Sequence, residues 1–153
     1  MFTRILCPID FNGNSFNALR TAARLAQRDQ AKLYLLHVVA HTDTVVISAP
    51  LIEARTRENA AEELRKLAER ELAGVEHESL VRFGHPAAEI LEAEREIDAD
   101  LVVMATHGRV GVPRVFLGSV TEKVVRESSC PVLVVRLRPL AQGVEEKPKA
   151  SSF

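Results

Sequence analysis

Five runs dense in valine, isoleucine and leucine recur along this chain, with helical patterns between them, and that alternation constrains the fold most. The runs are Arg4–Ile9, Lys32–Val39, Val75–Phe83, Leu101–Ala105 and Val132–Leu137. They read as buried strands, as in a sheet covered on both sides. Between the first two, Phe16, Leu19, Ala22, Ala23 and Ala26 fall at helical spacing. Ala60, Ala61, Leu64, Leu67, Ala68 and Leu72 do so before the third. Pro86 suits the first turn of a third helix carrying Ala87, Ile90, Leu91 and Ile97, and Val120, Val124 and Val125 mark a fourth over Ser119–Ser128. Strands alternating with helices predict βαβ units with right-handed crossovers and a single open, parallel, five-stranded α/β sheet with helices on both faces. The stretch His41–Pro50 reads as a long connection before the second helix.

Length and charge set further bounds. The 153 residues suffice for one domain with a substantial core, and 46% hydrophobic against 27% charged residues describes an ordinary globular protein. We expect a domain over residues 1–138 and a disordered polar tail over 139–153, where Gln142-Gly143 and Glu145-Glu146-Lys147-Pro148-Lys149 lie. A net charge of −1 gives no reason to expect nucleic acid or an acidic membrane as partner. The N-terminus lacks a secretory pattern, and no run reaches the ~20 apolar residues of a membrane span. Cys7 and Cys130 are too far from other ligand types to suggest zinc, and read as buried thiols in a reducing cytoplasm.

One segment carries chemistry. Ala105-Thr106-His107-Gly108 follows the fourth apolar run, and nine residues later Gly118-Ser119-Val120-Thr121-Glu122 opens the fourth helix. Glycines let backbone N–H groups approach an anion, and the first turn of a helix offers unpaired donors at its positive end. A phosphate site is the expectation. In open parallel sheets ligands bind beyond the carboxyl ends of strands, where the strand order reverses. The order 3-2-1-4-5 sets the end of the first strand, Pro8-Ile9-Asp10, beside the loop that closes the fourth.

Pro8-Ile9-Asp10, Leu36-His37-Val38, Gly84-His85-Pro86, Met104-Ala105-Thr106-His107-Gly108-x9-Gly118-Ser119 and Ser129-Cys130-Pro131-Val132-Leu133-Val134-Val135 together resemble the universal stress protein family. The resemblance covers residues 1 to about 137, with the motifs in the family's order. It implies a Rossmann-like fold of the adenine nucleotide alpha hydrolase kind, and a homodimer through the last strand. That strand's residues Val132, Leu133, Val134 and Val135 would otherwise leave an apolar edge. The family divides into members that bind ATP and members that do not. The ATP-binding pattern is Gly, two residues, Gly, nine residues, Gly, then Ser or Thr, and this chain departs from it only where Ala105 replaces the first glycine. The resemblance therefore implies ATP, with Mg2+ or Mn2+, held by Pro8, Ile9, Asp10, Val38, Met104, Ala105, His107, Gly108, Arg109, Gly118, Ser119, Val120 and Thr121. A cytoplasmic stress-response sensor or regulator is the role that follows. The rival is a dimeric regulatory or structural module of the same fold that binds no nucleotide.

Each of these residues also has a plainer reading. Asp10 would repel phosphates unless it met a metal-bound water or the adenosine end, and it could instead cap a helix. Val38 can contribute only its peptide group. Gly108 and Gly118 could serve loop geometry alone. Ser119-Val120-Thr121-Glu122 reads as a capping box, with Ser119 capping and Glu122 reaching back. His107, Arg109 and Arg114 could neutralise phosphates or simply face water. His37 reads as a strand-end residue behind the site, Ser15 as a helix cap, and Glu62 with Lys66 as a surface i,i+4 pair. The chain has no Gly-x4-Gly-Lys-Ser/Thr loop, and residues 105–121 hold no Asp, Glu or Gln to orient water. Hydrolysis is therefore expected to be slow at most. An adenylate-forming or sulfur-transfer enzyme would carry a glycine-rich loop after the first strand. Asp10-Phe11-Asn12-Gly13-Asn14-Ser15 holds one glycine.

Overall fold

Strand and helix alternate from end to end in the computed structural model, which describes residues 1–11, 13–40, 50–106 and 117–136. The elements are β1 (Arg4–Pro8), α1 (Gly13–Asp29), β2 (Lys32–Ala40), α2 (Pro50–Glu71), β3 (His77–Gly84), α3 (Pro86–Glu96), β4 (Leu101–Ala105), α4 (Ser119–Glu127) and β5 (Val132–Val135). The sheet order is β3-β2-β1-β4-β5, and every pairing is parallel. Fold class and strand order agree with the sequence expectation.

The central strands β1, β2 and β4 are buried on both faces. Ile5 and Cys7 of β1, Leu33 and Leu35 of β2, and Leu101 and Val103 of β4 pack with Leu19 and Ala22 of α1 and Leu64 and Leu67 of α2. Their strand neighbours Leu6, Leu36, Val102 and Met104 point the other way, onto Ile90 and Leu91 of α3 and Val124 of α4. This two-residue alternation explains the unbroken apolar runs in the sequence.

Several boundaries differ from expectation for physical reasons. The third strand starts at His77 rather than Val75, because Val75 is buried in a turn in which its N–H bonds the Leu72 carbonyl at 3.0 Å. The second helix starts at Pro50, three turns before Ala60, and its early turns are mostly exposed, so no apolar period announces them. β1 ends at Pro8, although the Ile9 N–H still bonds the Leu36 carbonyl at 2.8 Å. Ser15 lies inside the first turn of α1 and is buried. Cys7 is fully buried, whereas Cys130 is only half-buried. Leu137, residues 41–49 and the tail from Pro139 fall outside the described residues.

Carboxylates fasten the amino ends of the strands. Asp29, closing α1, accepts from the Phe2 N–H at 2.9 Å. Asp100 accepts from the Thr3 N–H and hydroxyl, both at 2.7 Å, and from the Arg4 N–H at 3.0 Å. Arg4 pairs with Asp98. Glu94, on α3 and 1% exposed, accepts from the Ser128 hydroxyl at 2.8 Å and the Ser129 N–H at 2.7 Å, tying α3 to the turn before β5. Burial pushes the Glu94 carboxyl up, but the Ser129, Ser128 and Cys130 donors outweigh it and hold it below the ordinary carboxylate range.

Candidate nucleotide site

At the opposite end of the sheet, β1 and β4 part from one another in the crevice that a reversing strand order creates. Here a cavity of about 580 Å³ is lined by Pro8, Ile9, Asp10, Gly13, Asn14, Ser15, Leu36, Val38, Pro86, Ile90, Met104, Ala105, Val120 and Thr121. Its size lies within the range of small-molecule sites. The walls come from strand ends: Pro8 and Ile9 from β1, Leu36 and Val38 from the same face of β2, Met104 and Ala105 from β4. Helix starts complete it. Gly13, Asn14 and Ser15 open α1, Pro86 opens α3, and Val120 and Thr121 belong to the first turn of α4. Three helix N-termini therefore border one apolar pocket, and their positive dipole ends favour an anionic group there.

The first turn of α4 departs from the capping-box reading. Gly118, not Ser119, is the N-cap, with φ 41° and ψ 148°. The Glu122 N–H bonds the Gly118 carbonyl at 3.0 Å, which makes Ser119 the first helical residue. Among the described residues no side chain caps this terminus. The cause is backbone shape: the positive φ at Gly118 suits glycine and sets the helix start one residue earlier than a serine cap would. Thr121, 1% exposed, donates instead to the Ala105 carbonyl at 3.3 Å, linking α4 to the end of β4. Asn14 reaches across from α1 to the Thr106 carbonyl at 3.4 Å.

Ala105 sits in regular strand pairing opposite Val135 and has no positive φ. Its backbone therefore does not demand glycine, and what alanine adds is one methyl group at the pocket wall. Cys7, two residues before Ile9, is no nucleophile: burial pushes its thiol up to about 12.

Of the residues singled out from the sequence, the structure brings Pro8, Ile9, Asp10, Val38, Met104, Ala105, Val120 and Thr121 to one cavity. Gly118 and Ser119 adjoin it at the start of α4. His107, Gly108, Arg109 and Arg114 lie outside the described residues. His37 stands behind the cavity on the end of β2, with Nδ1 2.8 Å from the Ile9 carbonyl. Lys66 and Glu62 form the expected helix pair at 3.6 Å. Sequence reasoning missed Gly13, Asn14, Ser15, Leu36, Pro86 and Ile90. The signal that could have found most of them is positional: each helix start directly following a strand end in this topology faces the crevice.

Comparison with known proteins identifies the frame. The sequence profile of the universal stress protein family matches residues 1–136. Universal stress protein YxiE of Bacillus subtilis is 36% identical over 151 residues, covering 89% of this chain and 100% of the relative. The solved structure of MJ0577, a universal stress protein of Methanocaldococcus jannaschii, superposes with TM-score 0.78 at 26% identity, covering 91% of this chain and 99% of that one. A universal stress protein solved in complex with cAMP shares the fold, with TM-score 0.68 at 24% identity and coverage of 88% and 97%. With the family's sequence pattern running through the whole described domain, this chain belongs to the universal stress protein family.

Proposed function

We propose that the chain binds an adenine nucleotide, ATP by the family pattern, in the crevice between β1 and β4. The observation that carries this reading is the convergence of three helix N-termini and three strand ends on one apolar cavity. A flat base suits the apolar walls of Leu36, Val38, Ile90 and Met104, with the peptide group of Val38 at the base edge. The phosphates suit the uncapped start of α4 at Gly118, Ser119, Val120 and Thr121, with Gly108, His107 and Arg109 completing the cradle. Asp10 suits the sugar or base donors, or a metal-bound water, rather than a bare phosphate. The described residues hold no cluster of three or more metal-ligating side chains, so Mg2+ or Mn2+ would enter with the nucleotide's phosphates. The cAMP complex of a same-fold protein agrees in ligand class, as a fold-level analogy.

The role we assign is a cytoplasmic stress-response sensor or regulator. The sequence has no Gly-x4-Gly-Lys-Ser/Thr loop, and residues 105–121 carry no Asp, Glu or Gln to orient water, which motivates hydrolysis slower than about one turnover per minute, against ~1–100 per second for kinases. Residues 1–138 form the functional domain, with 139–153 as an appended tail. We also place a homodimer contact at β5, an edge strand whose Leu133 is 39% exposed. A monomer mass by light scattering at micromolar concentration would refute the dimer.

Isothermal titration with ATP tests the central claim, with a micromolar Kd expected. Gly118→Val should abolish the heat of binding. Because φ at Gly118 is 41°, valine there also strains the backbone by about 1–2 kcal/mol, so thermal unfolding must accompany the titration. Parent-like affinity in a folded Gly118→Val protein would show that the phosphates lie elsewhere. No binding by the parent would favour the alternative reading, a nucleotide-free dimeric module, for which the Ala105 methyl at the cavity wall is the supporting observation. Steady-state phosphate release above one per second, lost in Gly118→Val, would make the protein an ATPase instead.

A further inference from the structure

We infer that His37 is a positioning residue which fixes the Asp10 segment against the nucleotide crevice by holding the residues on both sides of it. The inference rests on the nucleotide reading above and adds to it a residue that does not line the cavity. Two observations meet at this point. The Ile9 peptide is gripped twice by the end of β2: its N–H bonds the Leu36 carbonyl at 2.8 Å, and its carbonyl accepts from His37 Nδ1 at 2.8 Å. A carbonyl can only accept, so Nδ1 carries the proton. On the far side of Asp10, Phe11 adopts φ 60°, an uncommon left-handed conformation for an aromatic residue. Its ring lies 4.6 Å from the His37 ring, tilted by 46°. One imidazole thus meets residue 9 through a hydrogen bond and residue 11 through a tilted ring contact.

Asp10 follows the last ladder contact of β1 and is exposed. Without His37 the chain would regain freedom at Ile9 and Phe11, and fixing it again would be charged against ligand binding. Fixing one residue's backbone costs about 1–2 kcal/mol, which is the scale on which preorganisation acts. His37 points to the α1 face of β2, away from Leu36 and Val38, so it gains this influence without occupying the ligand's space.

The test compares His37→Leu, which keeps apolar bulk but removes the donor, with His37→Asn, whose amide nitrogen can replace Nδ1, and His37→Gln, whose amide reaches further. Hydrogen exchange without ligand reads the grip directly. In His37→Leu and His37→Gln the amides of residues 9–11 should exchange at least tenfold faster while those of β4 stay unchanged, and His37→Asn should restore protection. Titration with ATP reads the consequence. His37→Leu should bind about tenfold more weakly, His37→Asn within threefold of the parent, and in an Asp10→Ala background the His37→Leu penalty should vanish. Unchanged exchange in His37→Leu, failure of Asn to rescue, or full additivity with Asp10→Ala would each overturn the assignment. Failure of the parent to bind any adenine nucleotide would refute the nucleotide reading and the binding part of this inference. The exchange result would then decide the grip by itself.

Discussion

At the amino ends of the strands, carboxylates grip the backbone of the strand starts, whereas at the carboxyl ends of β1 and β4, among the described residues, uncharged Thr121 and Asn14 and the imidazole of His37 bridge to backbone carbonyls. Asp29, Asp98, Asp100 and Glu94 bridge helix ends to strand starts through backbone N–H groups, hydroxyls and Arg4. Lys32 pairs with Glu78 across the starts of β2 and β3 at 2.7 Å. At the far end His37 ties to Ile9, Thr121 to Ala105 and Asn14 to Thr106, the last two at 3.3 and 3.4 Å, while charge enters at the outer strand, where Arg82 of β3 pairs with Glu89 of α3 at 3.7 Å. A parallel α/β sheet puts helix C-termini at one end and helix N-termini at the other. Closing the first end with strong local bonds leaves the second end free to present helix N-termini to a ligand. Stability and binding should accordingly respond to different residues.

The largest effect on stability is expected at Glu94. Glu94→Ala removes the acceptor for the Ser129 N–H and for the Ser128 and Ser129 hydroxyls in a buried site. Orphaning those donors should cost about 3 kcal/mol, measured by urea unfolding. ATP affinity of the folded protein should stay within twofold of the parent. A loss of affinity as complete as that expected of Gly118→Val would break the separation between the two ends.

Acid should act on the same end. The Asp100 carboxyl is pushed up by partial burial, but the Thr3 hydroxyl and the Thr3 and Arg4 N–H groups hold it below its ordinary value. Asp29, bonded by Arg28 and the Phe2 N–H, lies lower still. The folded protein therefore binds fewer protons than the unfolded chain. The stability these groups supply is complete above the ordinary carboxylate range and is lost as pH falls through it toward the depressed folded values. Asp100→Asn should cost about 1–2 kcal/mol at pH 7, discounted because the group is partly exposed, and should flatten the decline between about pH 5 and 3. An unchanged acid slope would show that Asp100 does not fasten the strand.

This contrast also explains what could be read in the sequence. The parallel sheet was legible because Leu33, Leu35, Leu36, Leu101, Val102 and Val103 need burial on both faces, and that need is written in residue type, whereas the strand order is that of the fold the family resemblance implies. The strand-end motifs Pro8-Ile9-Asp10 and Gly118-Ser119 were legible because their chemistry is local. The start of α2 was not, since residues 50–59 are largely exposed and carry no apolar period. Nor was the Gly118 cap, because a serine followed by Glu122 satisfies the same local pattern and only the backbone angle at Gly118 separates the two. The roles of Asn14, Ser15 and Ile90 depend on which helix starts meet across the crevice, a long-range fact that no short window contains.

The smallest effect should come from the neutral ties. Thr121→Val preserves shape and removes the hydroxyl that donates to the Ala105 carbonyl over 3.3 Å. A long, neutral bond of this kind contributes little net, and the carbonyl at the cavity edge can turn to water. We expect a loss below about 1 kcal/mol in urea unfolding. Because Thr121 lines the cavity, the change should be more visible in binding: ATP affinity should fall a few-fold as the first turn of α4 loosens from β4. A stability loss above 2 kcal/mol with affinity unchanged would invert the comparison. The crevice end would then be a structural clamp, and the openness of its helix starts would no longer argue for a ligand.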